Sequence, residues 1–258
     1  MKVVILAGGL GTRLMEETES RPKPMVEIGG RPILWHIMKI YEAQGFNDFI
    51  ICAGYKAIQI KEFFLNYYIH NSDFEIDLGT NAVNIINSQI ESMKVTIVDT
   101  GFNTNTAGRI KRIKHLIEDD QFMLTYGDGV ANINLKKLVE FHNKSERLAT
   151  LTSVQLPGRF GNIDVDDFGV VKEFQEKPFG DGVWINGGFF VLNKGIFDYL
   201  EHDVEQVQWE KGPLLSIAAD NQLAAYRHEG FWKCMDALRD RIELEELWKN
   251  GMAEWKIW

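Results

Sequence analysis

The sequence has only two cysteines in 258 residues, Cys52 and Cys234. They are far apart and sit in no CxxC or histidine-rich setting, so neither a disulfide framework nor a thiolate metal site is indicated, and a reducing compartment fits best. No apolar run is long enough to span a bilayer. The apolar start at Val3 is too short for the h-region of a signal peptide, lacks a small-residue cleavage pattern and leads straight into glycines. We therefore expect a cytoplasmic protein with no membrane partner. Positive charge is also in deficit: 28 Lys and Arg against 37 Asp and Glu give a net charge of −9. A general nucleic-acid binder needs a basic field, so that class is excluded, and any bound phosphate must be held by a local cationic pocket. The six histidines, at 36, 70, 115, 142, 202 and 228, show no metal-ligand spacing and are assigned to surface or core. No internal repeat, low-complexity tract or flexible linker divides the chain, so residues 1–258 are treated as one domain.

What is present is organised around the run Val3 to Ala7 and the glycines after it, Gly8-Gly9-Leu10-Gly11-Thr12-Arg13, continued by Arg21-Pro22-Lys23-Pro24-Met25. An apolar run of strand length stops at a glycine cluster, and cationic side chains follow. Such a stretch presents bare backbone N–H groups and positive charge to a phosphate at the end of a strand. It is not a P-loop, because Thr12-Arg13 stand where that motif needs Lys-Ser/Thr. Nor is it a dinucleotide fingerprint: the third glycine is missing, and the next strand ends in Ala53-Gly54 rather than an acidic residue.

Farther on, helical apolar spacing over Pro32 to Tyr41 is followed by a strand at Phe49 to Cys52 and a helix from about Ile58 to Tyr68. This alternation predicts a parallel sheet with right-handed crossovers. Residues 70–92 read as an irregular excursion with a hairpin. Strands are expected at Val95 to Asp99 and Phe122 to Tyr126, and a helix from Arg109 to Ile117 whose charges mostly face solvent, with Arg109 beside the preceding loop and able to turn inward. In open α/β sheets the ligand crevice lies beyond the carboxyl ends of the strands, so the glycine loop and Gly127-Asp128-Gly129 face one crevice if their strands are neighbours. After a helix near Leu135 to His142 the rhythm changes to strand-like pieces at Ala149 to Val154, Gly169 to Val171 and Trp184 to Leu192, which suggests antiparallel or mixed strands forming a second lobe on the same sheet. Helices at Ile196 to Leu200, Pro213 to Ala219 and Asp236 to Trp248 follow, and the tail with Met252, Trp255 and Ile257 is too apolar for a free terminus, so it docks on its own core or on another subunit. The fold class expected is α/β, a Rossmann-like doubly wound mixed sheet, mostly parallel, with a smaller antiparallel lobe.

These residues resemble the sugar-1-phosphate nucleotidylyltransferase family. Leu6 to Leu14 with Pro22-Lys23-Pro24-Met25 is similar to its signature loop, Tyr126-Gly127-Asp128-Gly129 to its metal-aspartate segment, and Glu176-Lys177-Pro178 to its sugar-phosphate segment. Asn186 to Val191 and Gly230-Phe231-Trp232 with Met235-Asp236 complete the set in family order. Val26 to Gly45 and Pro157 to Gly161 are most similar to the branch that acts on CTP and glucose 1-phosphate; Cys234, where proline is expected, and the loop Phe102 to Ala107 depart from it. The resemblance implies attack by a sugar-1-phosphate oxygen on the α-phosphorus of CTP, with Mg²⁺ as cofactor, residues 1–145 as the nucleotide-binding part, residues 146–258 as the sugar-binding part, and a homo-oligomer.

Bringing two polyanions together in line is mostly a matter of charge neutralisation and orientation. Arg13 can fork onto the phosphates that leave as pyrophosphate, and Lys23, stiffened between two prolines, suits the α-phosphate. Either is otherwise a surface cation. The expected nucleotide contacts are Leu6, Ala7, Gly8, Gly9, Gly11, Thr12, Arg13, Lys23, Thr104, Thr106, Arg109 and Gly127. Asp128 and Asp236 are the expected Mg²⁺ ligands, since magnesium takes one or two carboxylates together with substrate phosphates. Without a metal, Asp128 is a turn residue and Asp236 an N-cap. The resemblance implies that Glu176 accepts sugar hydroxyls and Lys177 meets the sugar phosphate, with Asn186 and Gly187 beside them. Cytosine offers O2 and unprotonated N3 as acceptors and arginine only donates, so Arg109 is a candidate base reader; a solvated helix charge explains it equally. The competing readings are a uridylyl- or thymidylyltransferase, a catalytically silent nucleotide-sugar sensor, and a glycosyltransferase, for which Gly127-Asp128-Gly129 is a poor DxD match.

Overall fold

The computed structural model describes residues 1–88, 90–156, 162–166, 168–175 and 183–258. Seven strands form one sheet in the order Leu223–Arg227, Ala149–Val154, Ile185–Asn193, Gln121–Tyr126, Val3–Ala7, Asp48–Ala53, Lys94–Asp99. The last four run parallel to one another. Ile185–Asn193 is antiparallel to both its neighbours, whereas Leu223–Arg227 is parallel to Ala149–Val154. The expected mixed, mostly parallel α/β sheet is therefore present, and its antiparallel strand lies where the sequence rhythm changes; the piece expected at Gly169 to Val171 does not join it, because Val171–Gln175 pairs with Asn162–Val165 in a separate two-stranded sheet.

Burial explains the central position of the first strand, all five of whose residues are buried. Side chains alternate across a strand, and crossovers on both faces require both sets to be apolar. Val3, Ile5 and Ala7 join one core with Ile33, Ile37, Tyr41, Leu244 and Trp255. Val4 and Leu6 join the other with Ile110, Ile113, Phe197 and Trp209. The helix Ile33–Glu42 follows Pro32 and presents its apolar spacing to the first of these cores. The tail docks on its own chain: Trp255 is 1% exposed and stacks on Phe231 at 5.5 Å.

The 70–92 excursion contains a hairpin, Ser72–Asp77 paired with Ala82–Ser88, on which Phe74, Ile76, Val83 and Ile86 are exposed. No described helix is long and apolar enough to cross a membrane.

Two helix starts differ from the sequence reading. The helix expected to open at Arg109 spans Thr106–Arg112, with a separate 3-10 turn at Lys114–Leu116. Its early start is fixed from outside: Asn105 N–H donates to Glu205 O at 2.7 Å, Ala107 N–H to Val207 O at 3.1 Å, and the Thr106 hydroxyl accepts from Trp209 N–H at 2.7 Å. Arg109 thus lies in mid-helix, buried rather than on a solvated face. The last helix spans Leu238–Lys249, not Asp236 onward. The Asp240 carboxylate accepts the N–H groups of Asp236 at 3.1 Å and Ala237 at 2.8 Å, so Asp236 is not the cap.

Candidate functional site

Two strands of the seven-stranded sheet, Val3–Ala7 and Gln121–Tyr126, are parallel neighbours with Leu6 opposite Tyr126. Gly127 N–H donates to Leu6 O at 3.0 Å, so the glycine loop and the Gly127-Asp128 segment leave the sheet side by side. They open onto a cleft of about 410 Å³ lined by Leu6, Ala7, Arg13, Lys23, Thr106, Gly127, Asp128, Asn186, Gly187, Trp232, Cys234 and Asp236, among others. Among the described residues, none accepts from the backbone N–H groups of Gly9, Leu10, Gly11 and Thr12, which therefore stand available to an anion.

Four charged side chains converge at one end of the cleft. Lys23, which opens a 3-10 turn between Pro22 and Pro24, donates from Nζ to Asp128 Oδ2 at 2.7 Å and to Asp236 Oδ1 at 2.7 Å. Arg13 Nη1 reaches the other oxygen of Asp236 at 2.9 Å. Burial alone would lower the pKa of Lys23, but the Asp128 and Asp236 carboxylates outweigh it and hold the ammonium above its ordinary range. Burial likewise works to raise Asp236, and Lys23 and Arg13 overcome it, leaving the carboxyl below its usual range. Two cationic and two carboxylate side chains thus meet at this end of the cleft.

A second set of contacts builds the opposite wall. Asn186 donates from Nδ2 to the Tyr126 hydroxyl at 3.2 Å and accepts from Gly188 N–H at 2.9 Å. The Tyr126 hydroxyl in turn donates to Glu210, which also accepts from the Thr106 hydroxyl at 3.3 Å. Trp232 Nε1–H donates to Gly187 O at 2.7 Å. Gly188 adopts φ +79° with its Cα against the Tyr126 ring, a conformation and a closeness that only glycine permits.

The structure brings Leu6, Ala7, Arg13, Lys23, Thr106, Gly127, Asp128, Asn186, Gly187 and Asp236 to one cleft, while Gly9 and Thr12 are exposed on the loop that follows Ala7 and do not line it. Thr104 is 7% exposed, does not line the cleft, and donates to Glu205 at 3.1 Å. Arg109 lies beneath the glycine loop at 3% exposure. Its Nη1 donates to Ala53 O at 3.1 Å, the Thr100 hydroxyl at 2.7 Å and Gly101 O at 2.9 Å, and its Nη2 to Gly8 O at 2.9 Å. A side chain at Gly8 or Gly54 would collide with this guanidinium. Its first role is therefore to tie the loop to the sheet, which corrects the solvated-charge reading and leaves one Nη2 proton and the Nε–H for any ligand. Glu176, Lys177 and the stretch Pro157 to Gly161 lie outside the described residues.

Glu210 was invisible in the sequence. It is one acidic residue in a short 3-10 turn, Trp209–Lys211, and only the fold carries it to Tyr126 and Thr106. The donor set fits a hard divalent cation. Carboxylate oxygens of Asp128 and Asp236 lie within 4.8 Å of each other, in a cleft whose cations already compensate their charge.

Comparison with known proteins agrees with this geometry. The family model "Nucleotidyl transferase" matches residues 2–238. The chain is 52% identical over 259 residues to "Glucose-1-phosphate cytidylyltransferase" of Salmonella typhi, covering 100% of both. It is 46% identical over 258 residues to "Probable glucose-1-phosphate cytidylyltransferase" of Bacillus subtilis, again covering 100% of both. A crystal structure of a putative glucose-1-phosphate thymidylyltransferase from Bacillus anthracis superposes with a TM-score of 0.70 at 16% identity, covering 96% of this chain and 94% of the other, which shows the shared fold. On this combination of cleft, motif order and end-to-end likeness, the chain belongs to the nucleotidyl transferase family.

Proposed function

We propose that this chain is a glucose-1-phosphate cytidylyltransferase, converting CTP and α-D-glucose 1-phosphate into CDP-glucose and pyrophosphate. The observation that carries the reading is the convergence of Arg13, Lys23, Asp128 and Asp236 in one cleft, in a chain related end to end to the cytidylyltransferases named above.

Mg²⁺ held by the Asp128 and Asp236 carboxylates would neutralise phosphate charge and polarise the reacting phosphoryl group. The N–H groups of Gly9, Leu10, Gly11 and Thr12 receive the triphosphate. Arg13 pairs with the β- and γ-phosphates, which leave together as pyrophosphate, and Lys23 turns from the carboxylates to the α-phosphate, where charge develops as the sugar-phosphate oxygen attacks in line. Asn186 and Gly187, braced through Tyr126 and Glu210, line the sugar side, and Glu176 and Lys177 contact the sugar hydroxyls and its phosphate. Thr104 and Thr106 shape the base side. Arg109, anchored on Gly8 O, offers its remaining Nη2 proton to cytosine N3, an acceptor that uracil and thymine lack because their N3 carries a proton.

The exposed apolar hairpin over residues 72–88 favours a homo-oligomer, which light scattering on a sizing column would reveal as a mass above 29.6 kDa. Two unpaired cysteines fit a cytoplasmic protein. The reading is tested by following pyrophosphate release from CTP, UTP, dTTP and GTP against a set of sugar 1-phosphates with Mg²⁺. Release that is fastest with CTP and glucose 1-phosphate supports it. Faster release with UTP or dTTP would transfer the activity to another base, and binding with no release under any pairing would mark a sensor.

A further inference from the structure

The end of the cleft that holds Asp128 and Asp236 contains a third ligand-bearing side chain. A carboxylate oxygen of each aspartate and Cys234 Sγ all lie within 4.8 Å of one another. The cysteine is not there by accident of a loop. It closes the short strand Trp232–Cys234, which pairs antiparallel with Gly129–Ala131 so that Cys234 stands opposite Gly129. Met235 N–H donates to Asp128 O at 2.9 Å and locks the two segments together one residue farther on. Cys234 is partly buried and lines the same cleft as both aspartates. Magnesium, a hard cation, gains nothing from a thiol, whereas zinc, cadmium and cobalt do.

We propose that Cys234 is the third protein ligand, with Asp128 and Asp236, of a site for a thiophilic divalent cation, and that such a cation occupies the cleft in competition with magnesium and nucleotide. The inference rests on reading Asp128 and Asp236 as metal carboxylates. On binding, a metal–sulfur bond forms, the thiol proton passes to solvent, and a water completes a four-coordinate O₃S set. Ligand atoms around tetrahedral zinc stand roughly 3.3–3.8 Å apart, given bonds of about 2.0–2.3 Å. Binding therefore requires the three ligand atoms, now within 4.8 Å of one another, to draw together and Lys23 Nζ, now 2.7 Å from both carboxylates, to give way to the cation. Two carboxylates and a thiolate around a divalent ion leave one negative charge, and Lys23 and Arg13 remain beside it to offset that charge.

The test is a titration of the full-length, nucleotide-free protein with cobalt(II) chloride in a thiol-free reducing buffer. A near-ultraviolet sulfur-to-cobalt charge-transfer band saturating at one equivalent is expected, and Cys234→Ser should abolish it. Competition with a chromophoric chelator should show cadmium held at least about tenfold more weakly by Cys234→Ser than by the parent protein. A variant-free readout guards against misfolding: the ¹¹³Cd NMR resonance of the parent protein should fall in the range of sulfur-containing sites, not of all-oxygen sites. Absence of the band, an all-oxygen cadmium resonance, or a band that persists in Cys234→Ser through Cys52 would each overturn the inference. Mg²⁺-supported pyrophosphate release, measured separately, decides the proposed function; turnover without the cobalt band would leave that function standing and remove only the thiophilic site.

Discussion

Lys23 is the residue on which the site's charge balance turns. Its ammonium bridges Asp128 and Asp236 at 2.7 Å each, and its neighbours Pro22 and Pro24 limit the backbone that aims it. A point charge aimed where negative charge develops is worth most in a partly dry cleft. Lys23→Ala should therefore lower kcat on the order of 100-fold, about 2.7 kcal/mol of transition-state stabilisation, with a smaller change in the KM for CTP. Arg13 is far more exposed, with 78% of its side chain accessible, and among the described residues its side chain hydrogen-bonds Asp236 alone. Arg13→Ala should act mainly on the KM for CTP, because a group paired with the leaving phosphates is already engaged in the ground state. Steady-state kinetics of the two variants with Mg²⁺, CTP and glucose 1-phosphate checks this division. Equal effects on kcat would show that the two cations share one task.

At the scale of elements, Arg109 and the glycine loop act as a unit. One guanidinium joins Gly8, Ala53, Thr100 and Gly101 across three loop ends. Its removal deletes four hydrogen bonds from a buried, charged donor, although Ala53 O keeps the Thr100 N–H and hydroxyl and Gly8 O keeps the Tyr55 N–H, so Arg109→Ala should cost on the order of 2–4 kcal/mol and lower the thermal midpoint by several degrees, as calorimetry would show. The preference in kcat/KM for CTP over UTP should fall as well; a ratio unchanged in the folded variant would remove Arg109 from base selection.

The same region shows what the sequence made legible. The Val3 to Ala7 strand, the glycines after it and Asp128 beyond Tyr126 were readable, because strand length, glycine clusters and the position of a carboxylate at a strand end are local features. The start of the Arg109 helix was not, because partners 100 residues away, at 205 to 209, set it. Glu210 was missed for the same reason. The sequence also allows Asp236 as a helix cap, but Asp240, four residues on, makes those bonds in the structure, which frees the Asp236 carboxylate for the cleft.

At the scale of the whole molecule, the C-terminal tail is fastened to the core by His36. This histidine is fully buried, faces Ile28 O through Nε2 at 2.8 Å, and accepts from Trp255 Nε1–H through Nδ1 at 3.4 Å. Trp248 packs edge-on at 4.8 Å. Both ring nitrogens are satisfied only in the neutral form, and burial lowers the pKa from 6.5 to about 4. Between those values the unfolded chain binds a proton that the native one refuses. Stability should therefore decline as pH falls from about 6.5 to about 4, by about 3 kcal/mol at most, and this contribution should level off below pH 4. Urea midpoints across that window, compared with His36→Gln, check the sign: the variant should be less stable at pH 7 but should have a shallower slope. A parent protein with the same slope as the variant would show that His36 is already charged when folded.

The measurement that bears most directly on the central claim is the yield of CDP-glucose itself, identified by mass, from CTP, glucose 1-phosphate and Mg²⁺. The parent protein should form it in step with pyrophosphate, one for one, and Lys23→Ala should do so on the order of 100-fold more slowly. If the parent protein forms no CDP-glucose, or if Lys23→Ala forms it at the parent rate, the cleft does not perform the chemistry assigned to it.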